Sequence, residues 1–229
     1  MSPSGLLLCL ALAGSEPLAV VEYWPDATVY FRIDDRLRML VQSGPTFIPA
    51  DGYSDLTAGA YLDVFLFGPL RKAFANDESK ERLLSLRFGA SYTRSLSAGT
   101  RDPTDLLIFL ADVQARFHLS DWLLLSFRNR AEAKGDLVGA AKFVFRDRVR
   151  AQFEREFNLR SLALTPYVSA EVFWSGGDFS QVRFQGGLVV DVKWFARGQA
   201  VELYYLYLLA LPEGSADSHV LGLSLHFYF

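Results

Sequence analysis

From Trp24 onward, apolar and polar residues alternate with a period of two, the mark of strands whose two faces meet different surroundings. In "ATVYFRI", Ala27, Val29, Phe31 and Ile33 share one face and Asp26, Thr28, Tyr30 and Arg32 the other. "RLRMLVQ" sets Leu37, Met39 and Val41 against Arg36, Arg38 and Gln42, and "LTAGAYLDVFLF" sets Leu56, Ala58, Ala60, Leu62, Val64 and Leu66 against Thr57, Gly59, Tyr61, Asp63 and Phe65. Further alternating segments lie at 82–93, 105–118, 122–134, 141–156, 161–174, 179–194, 200–210 and 218–229. Several exceed the ~5 to 6 residues of an ordinary soluble strand and reach the ~9 to 11 that a tilted strand needs to cross a bilayer.

The connections are of two kinds. "IDDR", "HLSDW", "EFNLR" and "FARGQ" are tight and polar, whereas "SGPTFIPADGYSD", "SLSAGTRDP", "SGGD" and "LPEGSADS" carry Gly, Pro and Ser. Bacterial membrane barrels show this asymmetry, with short periplasmic turns and longer outer loops. "GPLRKAFANDESKE" is long yet falls on the tight side, where a short periplasmic helix would fit. The expected fold is all-β, an antiparallel up-and-down transmembrane β-barrel. Eleven segments alternate, and the even count of bacterial barrels, with both chain ends on the periplasmic side, points to about 12 strands, residues 14–24 supplying a further partial strand, with ten as the alternative.

Composition agrees without deciding. The 229 residues suffice for one domain, and 51% hydrophobic with 21% charged residues is neither a disordered chain nor a helical membrane protein. Net charge of −3 gives no general attraction to nucleic acid, and no nucleic-acid partner is expected. The single cysteine, Cys9, allows no disulfide framework. "MSPSGLLLCLALAGSEP" reads as a signal peptide over residues 1–13, ending on the A-x-A of Ala11 and Ala13, although no Lys or Arg precedes its apolar run. Residues 14–229 then form a single barrel domain. No other stretch approaches the ~20 apolar residues of a spanning helix.

The polar face is charged where two successive strands meet. "WLLLSFRNRAEAK" places Arg128, Arg130, Glu132 and Lys134 opposite Leu123, Leu125, Phe127, Ala131 and Ala133. "AKFVFRDRVRAQFEREF" places Arg146, Arg148, Arg150, Gln152, Glu154 and Glu156 opposite Phe143, Phe145, Val149, Ala151 and Phe153. The same parity adds Glu171, Arg183, Asp191 and Glu202. If the aromatic face meets lipid, these charges line the lumen and pair across strands, each limiting the other's desolvation cost. Trp24, Trp122, Trp174, Trp194, Tyr205 and Tyr207 near strand ends suit interfacial girdles.

The run from "LLLSFRNRAEAK" through "FVFRDRVRAQFEREF" and "LTPYVSAEVFW" to "HVLGLSLHFYF" resembles an uncharacterised family of bacterial outer-membrane barrels, a domain of unknown function. "YWPDATVYFRIDDRLRML" is similar to that family's start. Its R-x-R and E-x-F elements match Arg128, Arg130, Arg146, Arg148, Glu171 and Phe173. The resemblance implies the fold and a Gram-negative outer-membrane location but brings no reaction or substrate. Gram-negative barrels typically end on an aromatic preceded by alternating apolar residues, read by the barrel assembly machinery; the resemblance extends that role to Leu221, Leu223, Leu225, Phe227 and Phe229.

Catalytic chemistry finds little support. His118, His219 and His226 are scattered, so neither a metal site nor a cofactor is expected. In "DSH", Ser218 and His219 point to opposite faces of a strand, beyond the reach a nucleophile and base need. Ser224 and His226 share a face, but no acid is evident beside them. The sequence therefore points to a non-enzymatic small pore or structural membrane protein, in contact with outer-membrane lipid, lipopolysaccharide and small solutes. The alternatives are a lipid-modifying or lipid-hydrolysing barrel enzyme and a soluble barrel binding an apolar ligand.

Overall fold

The computed structural model describes residues 20–67, 78–99, 101, 103–137, 142–159, 162–192, 198–211 and 217–229. The 1–13 segment and Trp194 lie outside them. Twelve strands follow one another: β1 (Val20–Arg32), β2 (Leu37–Ile48), β3 (Tyr53–Phe65), β4 (Leu84–Ser97), β5 (Asp105–Ser120), β6 (Leu123–Asp136), β7 (Lys142–Arg155), β8 (Phe157–Leu159), β9 (Leu162–Ser175), β10 (Asp178–Val192), β11 (Gln199–Ala210) and β12 (Ser218–Tyr228). Residues 20–24 are the start of β1 and not a separate strand.

Each strand pairs with its neighbours, and β9 meets β10 to complete a closed ring of eleven. The three-residue β8 pairs with β9 alone. It extends β7, because Glu154↔Tyr167 and Phe157↔Leu164 keep one register across the gap. The ladder lapses beside Pro166, which has no N–H to offer.

An odd ring cannot alternate direction all the way round, so one neighbouring pair must be parallel. That pair is β1 and β12, in register from Val20↔Ser218 to Tyr30↔Tyr228. Two strands therefore run side by side from the loop end to the turn end. This departs from the expectation that both ends of the barrel lie on one side, which holds only for an even count. "SGGD", grouped by sequence with the longer loops, is a two-residue turn whose Gly176 and Gly177 have φ of 63° and 97°. Positive φ at both central residues matches the twist of a hairpin.

Side chains alternate across the wall. Phe88, Phe109, Phe127, Phe153, Val168 and Leu203 are exposed on the outside, while the buried set is rich in charge: Arg38, Asp63, Asp112, Arg116, Glu132, Arg148, Glu154, Glu171 and Asp191. A soluble barrel has the opposite distribution. At the turn end, the one-turn 3₁₀ helix Glu78–Glu81 stands where the long connection suggested a short helix. It enters the barrel mouth: Lys80 pairs with Glu154, and Arg116 reaches Ser79 at 3.4 Å.

Candidate functional site

Antiparallel pairing carries the inward side chains into rows across the wall. One row runs Gln114↔Arg128↔Arg150↔Glu171↔Arg183, from β5 through β6, β7 and β9 to β10. The next holds Asp112↔Arg130↔Arg148↔Phe173. Like charges thus stand directly opposite one another, which is unfavourable unless carboxylates lie between them.

Glu171, 2% exposed, is the principal one. Its Oε1 meets Arg128 at 2.7 Å and Arg148 at 3.6 Å, and its Oε2 meets Arg183 at 3.4 Å. Glu132 takes Arg148 at 3.2 Å and also binds Arg146, with Arg130 3.9 Å away; Arg130 makes its short contact, 2.8 Å, to Asp112. The fully buried ring of Phe173 lies under three of these guanidinium groups, with Arg183, Arg148 and Arg146 4.9, 5.3 and 5.6 Å from its centroid. Planar, weakly hydrated guanidinium groups suit such stacking better than ammonium groups.

This belt stands between two cavities. Towards the turn end lies a cavity of about 210 Å³ lined by Arg128, Arg150, Gln114, Gln152, Glu202 and His226 among others. Towards the loop end lies a vestibule of about 870 Å³ with Arg101, Lys134, Arg146 and Arg183 in its wall against Glu22 and Asp136. The two share no lining residue.

The structure places Arg128, Arg130, Glu132, Arg146, Arg148, Arg150, Glu154, Glu171, Arg183, Asp191 and Glu202 on the inner face. Asp191 and Glu154 sit apart from the belt, nearer the turn end. Leu221, Leu223, Leu225 and Phe229 are exposed on the outer face. Trp24 is not a girdle residue: it points into the lumen, donates to Glu22 at 3.0 Å and lies under Arg183 at 5.6 Å. Its parity with Asp26 and Thr28 dictates this. Trp122, in contrast, stands at the turn end against Arg155, whose guanidinium is 4.3 Å from its ring.

Sequence reasoning missed a second ionic group. Asp63 accepts from Arg38 at 2.7 Å and from Arg87 at 2.6 Å. The register Arg38↔Asp63↔Arg87 places all three in one row, and Arg38 and Asp63 were already legible as inward by alternation. Contrary to the expectation from local spacing, acids do stand beside Ser224 and His226. Ser224 donates to Asp26 at 2.6 Å, and His226 lies 3.2 Å from Glu202. Both acids come from other strands, out of reach of local spacing. The serine hydroxyl is bonded to a carboxylate and not to the imidazole, so the nucleophile-to-base contact of a serine triad is not made. On the outer face, His219 packs between Tyr205 and Tyr207.

No family model matches the chain, and no curated protein matches it. Among solved structures, the β-domain of the Bordetella autotransporter BrkA is similar, with a TM-score of 0.47 and 17% identity over 82% of this chain and 81% of that chain. The likeness is one of barrel form and lends no function to this protein.

Proposed function

We propose that this chain is a Gram-negative outer-membrane β-barrel whose lumen is closed at mid-height, a structural membrane protein and not an open diffusion pore. The observation that carries this reading is the arrangement of the two faces. An apolar exterior surrounds the ring while the interior holds paired charge, and the buried belt of Glu132, Arg148, Glu171 and Phe173 stands between two separate cavities. An apolar surface of that extent in water would far exceed the few hundred Å² that soluble monomers expose, which speaks against a soluble ligand-binding barrel. Ser224 and His226 face the lumen and not lipid, which speaks against a lipid-acting enzyme. On this reading the exterior contacts outer-membrane lipid and lipopolysaccharide. The barrel assembly machinery recognises the outward residues Leu221, Leu223, Leu225 and Phe227 of β12 together with Phe229.

The test has two arms. The protein should fractionate with outer membranes and migrate on gels as a heat-modifiable band, and Leu223→Arg should block assembly, at ~2 to 4 kcal/mol for a charge on the lipid face. Reconstituted in planar bilayers, it should give no discrete conductance. Sustained steps would show that the belt opens and would return the pore reading to first place. Recovery in the soluble fraction would overturn the membrane reading altogether.

A further inference from the structure

Within the belt, three carboxylates serve five arginines: Asp112, Glu132 and Glu171 bind Arg128, Arg130, Arg146, Arg148 and Arg183. Arg150 is a sixth. It stands in register between Arg128 and Glu171, yet both oxygens of Glu171 are held by other arginines. Among the described residues no carboxylate lies within ion-pair distance of Arg150. Beside it, the buried Nε of Arg128 has no hydrogen-bond partner. Both side chains line the cavity at the turn end, the lower cavity.

Five carboxylates stand in that cavity wall, Asp112, Glu154, Glu156, Asp191 and Glu202, and each already has a partner: Glu156 accepts from Asn158 at 2.7 Å, and Asp191 is engaged as well. Glu154 binds Lys80 and accepts from Gln152, Glu202 accepts from Tyr167 and meets His226, and Asp112 binds Arg130. Two arginines in register on neighbouring strands inside a protein, with Glu171 shared among Arg128, Arg148 and Arg183, concentrate positive charge where screening is weak. A planar guanidinium with free N–H groups presents donors in the geometry that an oxyanion accepts. The volume of about 210 Å³ admits a phosphate-sized ion with several waters, each of which takes ~30 Å³ in the liquid.

We propose that the lower cavity is a binding site for a small oxyanion of phosphate size, held between Arg128 and Arg150. The site goes beyond the closed lumen proposed above, which needs no ligand.

The experiment is calorimetric titration of inorganic phosphate into the full chain, folded in detergent and verified by heat-modifiable migration, at low ionic strength. It reads the site independently of cellular location and conductance. One saturable site is expected. Arg150→Gln should weaken it at least tenfold. Gln114→Glu, which sets a carboxylate directly opposite Arg128 and supplies the missing negative charge from the protein itself, should do the same even if the arginine variant fails to fold. Lys134→Gln in the separate vestibule should leave binding unchanged. Absence of saturable binding by the wild type, or unaltered binding in Gln114→Glu, would overturn the proposal. Chloride displacing phosphate as effectively as sulfate does would overturn its oxyanion character.

Discussion

The two sides of the barrel are held together by different chemistry. Along β6, β7, β9 and β10 the inner wall is a mesh of arginine and glutamate. Along β11, β12 and β1 it carries the acids Glu202, Asp26 and Glu22 but no arginine mesh, and is closely fitted: Gly222 lies under the ring of Tyr204, Ser224 meets Asp26, and Tyr30 stacks on Tyr228 with centroids 4.7 Å apart. The first wall is built from antiparallel strands close in sequence, so their register is set by adjoining turns and long charged side chains can interdigitate. The second contains the parallel seam, whose strands meet across a separation of 198 residues at Asp26 and Ser224. Parallel pairing is slightly weaker per residue, and no turn fixes the register there. Side-chain fit must do so.

Replacing Glu171 should separate the two walls most clearly. Glu171→Gln leaves three guanidinium groups short of charge inside the barrel, and loss of one partner from such a buried group costs ~3 to 5 kcal/mol. The corresponding change at the seam, Asp26→Asn, keeps an acceptor for the Ser224 hydroxyl and should cost less than ~1 kcal/mol. Urea unfolding in detergent micelles reads both, and equal shifts would remove the distinction between an arginine-meshed wall and a closely fitted one.

A smaller effect is expected at Gly222. A Cβ there would enter the ring of Tyr204, which stands in register opposite it. Gly222→Ala should therefore destabilise by ~1 to 3 kcal/mol through overpacking, and adding Tyr204→Ala should recover part of the loss. Additive losses in the double variant would show that the ring does not rest on the glycine.

The smallest effect concerns the turn end of the seam. Phe229 stacks on Phe31 at 5.9 Å, and its backbone exchanges bonds of 2.9 Å with Tyr30 and Arg32. Phe229→Ala retains the backbone bonds and loses the ring pair, worth ~0.5 to 1.5 kcal/mol beyond its area. Amide exchange in β1 and β12 should quicken while that in β6 and β7 stays unchanged. Uniform quickening would mean that the two walls unfold as one unit.

Much of this was legible from the alternation alone. Period two assigns Arg128, Arg148, Glu171 and Arg183 to one face and Leu221, Leu223 and Leu225 to the other, because successive Cβ atoms in a strand point in opposite directions. The same rule would have turned Trp24 inward, but its place near a strand end suggested a girdle. The service of three arginines by Glu171, and the acids beside Ser224 and His226, were not legible, since each joins residues from separate strands whose register only the assembled ring defines.

The sequence by itself determined that these segments are strands, which face of each is apolar, and that one inner wall is crowded with guanidinium groups. These are local properties, set by backbone geometry and side-chain chemistry within a few residues. The number of strands in the ring, the parallel closure, and which arginines share which carboxylate are properties of the closed whole. They follow from how eleven strands meet around a circle, where the first and last must become neighbours whatever their separation along the chain.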